Sequence, residues 1–117
     1  MGLELVSLHN HGNADKEYVL LRTTGKVDLH DYILFDNSYG ENHKTSNIHR
    51  HMYWFPRIKL DAGWGICLYT REGIDLPRKD KNIYNLYWNS KSPIWNDDKD
   101  TAHLIKTLLV DKKTMRK

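Results

Sequence analysis

Apolar residues in this chain recur at every second position, in short runs that stop at clusters of Gly, Pro, Asn, Asp and Ser. Residues two apart share one face of a strand, whereas a helical face repeats every 3.6 residues. No window of about 11 residues or more carries a helical stripe, so the spacing predicts strands throughout. The runs fall at residues 3–8, 17–22, 27–35, 49–55, 58–60, 64–70, 83–88 and 101–110. In the third run Val27, Leu29, Ile33 and Phe35 share one parity. In the fourth, Trp54 lies between Tyr53 and Phe55, so alternation turns it to the face opposite theirs. Residues 36–47 are rich in Asn, Ser and Gly and read as a long loop. Residues 71–82 are charged, contain Gly73 and Pro77, and read as a second surface loop. Short strands at this regular spacing build a sandwich or a barrel. Val19, Leu21, Leu29, Ile33, Phe55, Ile66, Leu68, Trp88 and Leu104 are the expected core.

A chain of 117 residues fits a single hydrophobic core. Its apolar fraction of 39% is lean, but four Trp, seven Tyr and two Phe each bury a large area. The net charge of +3 favours an anionic partner without being a nucleic-acid signature on its own. One cysteine, Cys67, excludes an internal disulfide. Set between Ile66 and Leu68, it reads as a packed or half-exposed strand thiol rather than a nucleophile. Lack of disulfides is compatible with the cytosol. The first residues hold no basic segment followed by a long apolar run, so neither a signal peptide nor a transmembrane helix is expected in this chain.

Four blocks, in order, resemble the lamin tail domain. Glu17-Tyr18-Val19-Leu20-Leu21 with Gly25 is similar to that family's Glu-aromatic-Val-x-Leu strand and closing turn. Val27-Asp28-Leu29-His30-Asp31-Tyr32-Ile33-Leu34 resembles Val-Asp-Leu-Ser-Gly-Trp-x-Leu. Phe55-Pro56 followed by Leu60-Asp61-Ala62-Gly63 resembles Phe-Pro then Leu-x-x-Gly. The last block runs from Leu86-Tyr87-Trp88 through Ser92-Pro93-Ile94-Trp95-Asn96 to Thr101-Ala102-His103-Leu104. Thr23, Asp31 and Lys99 depart from the pattern, where the family often has Asn, Gly and Gly. The resemblance implies an all-β, immunoglobulin-like antiparallel β-sandwich over residues 1–111, with little or no helix, and a basic tail at 112–117. It also implies a non-catalytic module that binds proteins, and DNA weakly. Similar domains accompany nucleases, phosphatases and surface proteins in bacteria.

The residues that suggest chemistry are few. His9 with His11, and His49 with His51, are each two apart and can share a strand face, as a metal would need. Asp97, Asp98 and Asp100 lack the spacing of a calcium loop and read as turn residues. No Gly-x-Ser-x-Gly elbow and no phosphate-binding loop occurs, so no enzyme motif and no cofactor is expected. Trp54 and Trp64, with Arg50, Arg57 and Lys59, form a candidate aromatic-basic surface for a protein partner or weakly bound nucleic acid. The leading expectation is an interaction module that uses a sandwich face or edge. The alternative is a metal-assisted hydrolase or nuclease accessory that uses surface histidines, with His49 and His51 as ligands.

Overall fold

The computed structural model describes residues 2–37, 51–95 and 101–115. The first five strands are β1 (Leu3–His9), β2 (Tyr18–Thr23), β3 (Val27–Asp28), β4 (Tyr32–Asn37) and β5 (Met52–Trp54). They are followed by β6 (Lys59–Leu60), β7 (Gly65–Tyr69), β8 (Leu76–Arg78), β9 (Ile83–Tyr87) and β10 (Thr101–Lys106). Among the described residues the only helical piece is one 3-10 turn, Leu29–Asp31. The chain is an all-β sandwich. One sheet has five strands in the order β1-β2-β7-β9-β8, and the other has three in the order β10-β4-β5. β3 and β6 form a small two-stranded ladder. Among the described residues every pairing is antiparallel except that of β7 with β9, which is parallel, with β8 returning outside β9.

Between the two larger sheets lies one core. Val19, Leu21, Ile66, Leu68 and Leu86 face inward from the five-stranded sheet, and Leu29, Leu34 and Phe55 meet them from the other side. The alternation of Val19 with Leu21, and of Ile66 with Leu68, is the period that the sequence shows. β1 departs from that period at Val6, where a bulge shifts the register between Leu5 and Ser7. The extra residue brings both Leu5 and Leu8 opposite inward-facing partners, Leu21 and Val19, although their parities differ.

The expected core is corrected at three places. Ile33 does not face the core, nor does Phe35, which shares its parity; Leu34 does, and it is fully buried. The cause is the 3-10 turn. Asp28 caps it by accepting from the His30 N–H at 3.1 Å, and three residues pass per turn instead of two per pleat. The phase therefore slips after Leu29, and Tyr32, Leu34 and Asp36 turn inward. Trp88 and Leu104 are half-buried and pack against the core, while Trp95 is the tryptophan that is only 1% exposed. The segment read as a loop at 71–82 contains β8, with Pro77 at its centre. The last strand ends at Lys106, where Thr107 donates to the Asp31 carbonyl, and Leu108, Leu109 and Val110 are exposed. Asp36 belongs to β4 rather than to the loop.

Glu17 is a fully buried carboxylate at the start of β2. Its Oε2 accepts from the Thr70 hydroxyl at 2.5 Å, from the Ile94 N–H at 2.9 Å and from the Trp95 N–H at 3.2 Å. Its Oε1 accepts from the Gly12 N–H at 3.1 Å. Four donors from three segments are thus gathered on one side chain, and the bonds from Thr70, Ile94 and Trp95 are buried. An amide at this position keeps the volume but turns N–H groups toward donors. Glu17→Gln is therefore expected to lower stability by about 2 kcal/mol, read as a fall in the urea midpoint. An unchanged midpoint would refute this role. Trp95→Ala is expected to cost about 3–5 kcal/mol, and Trp88→Ala less, because only Trp95 is enclosed on all sides.

Candidate functional site

The outer face of the three-stranded sheet carries Trp54. Alternation along β5 turns Tyr53 inward and leaves Trp54 50% exposed, as the sequence predicts. Its indole N–H donates to the His30 carbonyl at 2.6 Å, and its ring stacks on the His30 imidazole with centroids 4.4 Å apart and planes 11° from parallel. The imidazole is itself fixed, because its Nδ1 donates to the Phe55 carbonyl at 2.8 Å. Trp54 is therefore exposed and also held. Register places Ile33 opposite both Trp54 and Ile105, and Phe35 opposite both Met52 and His103. Met52 is 54% exposed and Ile105 41%. His103 lies flat on Phe35, centroids 5.2 Å apart, and its Nε2 is buried with no hydrogen-bond partner. The face is an apolar and aromatic surface crossing three strands.

The basic residues assigned to this surface are placed unequally. Arg57 pairs with Asp28 at 2.6 Å, so its charge is already met. Lys59 is exposed on β6 and lines an open concavity of about 420 Å3 with Lys26, Asp28 and Asp61. Trp64 is separated from this group. It packs near Tyr84 of β9 with ring centroids 6.4 Å apart, and its backbone N–H donates to the Thr23 hydroxyl. Arg50 and His49 lie outside the described residues, as do Asp97, Asp98 and Asp100. His51 is described. Its backbone N–H and its Nδ1 meet the two oxygens of the buried Asp36 carboxylate at 2.9 and 3.0 Å, and its ring stands edge-on to Trp88. His9 bonds the Ser7 hydroxyl at 2.7 Å. Among the described residues no group of three or more His, Cys, Asp or Glu side chains is arranged to hold a metal ion.

A second surface was not anticipated from the sequence. Four rings form one row across the outer face of the five-stranded sheet: His9, Tyr18, Tyr69 and Tyr87, each register partner of the next. Centroid separations are 4.6, 5.1 and 5.4 Å, close to the spacing between strands. The sequence signal exists, because each Tyr has the parity opposite to its buried neighbours. Aligning them needs the register, including the parallel β7–β9 pairing, which no local pattern specifies. Arg71 sits over this row, 5.1 Å from the Tyr69 centroid and 5.4 Å from that of Tyr87.

Cys67 lies in the next row of the same face, half-buried, and burial pushes its thiol above the ordinary value. That lowers the thiolate fraction and agrees with a packed thiol. Burial also raises Tyr53 far above the ordinary tyrosine value, with the Asp75 carboxylate adding to the effect. Tyr69 is raised as well, first by burial and then by Cys67, Tyr18 and Tyr87, with Arg71 pulling the other way. For each phenol the fold favours the neutral form. The corresponding stability is complete below the ordinary value of about 10 and is lost as pH climbs through the raised values. The denaturation midpoint should therefore fall as pH rises above about 10, and part of the tyrosine absorbance should titrate late. A single unshifted tyrosine titration would contradict this. Alkylation of Cys67 near neutral pH should be slower than that of a free thiol, and unfolding should remove the difference.

Compared with family models, curated proteins and solved structures, the chain matches none.

Proposed function

We propose that this chain is a non-catalytic interaction module of lamin-tail type, and that it docks a protein partner on the outer face of β10, β4 and β5. The family reading rests on the four ordered sequence blocks, and the all-β sandwich accords with it. The observation that carries the docking role is the state of Trp54. A half-exposed indole that is already hydrogen-bonded and stacked loses little further entropy when a partner covers it. Around it, Met52 and Ile105 add apolar area that water now covers. The charge distribution favours a protein over a polyanion, because Arg57 already pairs with Asp28. Weak nucleic-acid contact through Lys59 is the lesser branch. A metal-assisted reaction has less support, since among the described residues no three His, Cys, Asp or Glu side chains are grouped to hold an ion.

Trp54→Ala is expected to weaken partner binding by about 2 kcal/mol, roughly 30-fold in Kd. The fold should lose only about 1 kcal/mol, for one hydrogen bond and one ring contact. A partner that binds Trp54→Ala and the native chain equally would overturn the assignment. Titration with DNA and RNA at low and physiological salt separates the other branch. Tight binding that falls steeply with salt would move the function to a polyanion.

A further inference from the structure

Beyond the Trp54 face, the five-stranded sheet presents a built concavity at the end where the ring row lies. Arg71, Glu72, Ser90, Lys91 and Asp15 line an open space of about 460 Å3. Its walls are two loops fastened to each other. The Asn89 N–H donates to the Arg71 carbonyl, the Gly73 N–H donates to the Asn89 side-chain oxygen at 3.0 Å, and the Ser90 N–H donates to the Thr70 carbonyl at 2.8 Å. Asn89 holds a left-handed conformation, φ 63°, which Asn tolerates better than most residues. Gly73 lies so close to the Tyr87 ring that a Cβ there would fall 2.4 Å from Cδ1. The Arg71 backbone is thus fixed by the loop contacts, and its guanidinium is propped on two phenol rings.

The charges in this space are unusual in being close and yet unmatched. Among the described residues neither Arg71 nor Lys91 forms an ion pair, although Asp15 and Glu72 line the same concavity. An arginine fixed by stacking, with its N–H fork free, is suited to a planar carboxylate. A polyacidic peptide would meet Asp15 and Glu72 and be repelled. A neutral ligand would leave Arg71 and Lys91 unused. The set fits a ligand with one carboxylate and several hydroxyls. The carboxylate is taken by Arg71 and Lys91, and the hydroxyls donate to Asp15 and Glu72. The ring row borders the concavity, because Arg71 lies over both Tyr69 and Tyr87. We propose that this concavity binds a hexuronate, an acidic sugar unit, whether free or within a glycan, and that Arg71 is its carboxylate anchor.

The test is a nuclear magnetic resonance titration of the full chain with glucuronate, glucose and acetate in parallel. Glucuronate should give saturable shifts at the amides of Arg71, Gly73, Ser90 and Lys91. Glucose, lacking the carboxylate, and acetate, lacking the hydroxyls, should each bind at least about tenfold more weakly. Arg71→Gln and Lys91→Met should each weaken glucuronate about tenfold or more, whereas Lys79→Met, an equal loss of charge elsewhere, should not. Glu72→Gln should weaken glucuronate and leave acetate unchanged or tighter. All these side chains are exposed, so the variants are expected to fold, which melting curves check. No saturable shift, shifts centred elsewhere, acetate binding as tightly as glucuronate, or indifference to both Arg71→Gln and Lys91→Met would each overturn the proposal. Saturation by an oligouronide but not by the monomer, at the same amides, would support it and place the ligand within a glycan.

Discussion

One buried carboxylate organises the sandwich. Glu17 stands where β2 begins, and its oxygens collect N–H and O–H groups from the Gly12 turn, the end of β7 and the segment carrying Ile94 and Trp95. Ile94 and Trp95, 77 and 78 residues away in sequence, are thereby closed onto it. Removing a carboxylate from water is costly, and hydrogen bonds to both of its oxygens offset that cost. The consequence reaches the core, because the same bonds place Trp95 under the sheets. Trp95 in turn meets Trp88 edge-on, Trp88 meets Tyr53, and Tyr53 meets Phe55. A polar anchor therefore sets the position of the aromatic chain that fills the interior.

The two outer faces use aromatic groups differently. On the three-stranded sheet Trp54 offers one large indole held in place from behind by His30, and its surroundings are apolar. On the five-stranded sheet the rings pack largely on one another, with Arg71 above two of them. The first arrangement suits exclusion of water by a large partner. The second suits hydrogen bonding to a small polar one.

How far the sequence reveals this depends on whether a feature is local. The alternation of Val19 with Leu21, Ile66 with Leu68, and Trp54 against its neighbours is local, and all three are readable without a structure. The phase change at Leu29–Asp31 is not, because Val-Asp-Leu-His-Asp carries no Gly or Pro to mark a turn. The result is that Leu34, rather than Ile33, reaches the core. Trp88 and Trp95 look equivalent in sequence; only the bonds from Glu17 to Ile94 and Trp95 distinguish them. β8 was hidden by Pro77, which normally argues against a strand and is tolerated here at a border. The tyrosine row and the Arg71 concavity depend on strand register and on loop contacts across 16 or more residues, such as Gly73 with Asn89. Arg50 and His49 lie outside the described residues, so their part in either surface rests on sequence alone.

The bulge in β1 and the proline in β8 have a joint effect on how the five-stranded sheet can be approached. These two strands are its borders. A bulge interrupts the regular ladder of donors and acceptors along one border, and a three-residue strand centred on Pro77 offers little template along the other. Lateral growth of the sheet, by an incoming peptide or by a second copy, is thereby discouraged on both sides. Whatever this sheet recognises must come down onto its flat surface and be read by side chains, the arrangement in which a row of fixed rings and a propped arginine have most to contribute.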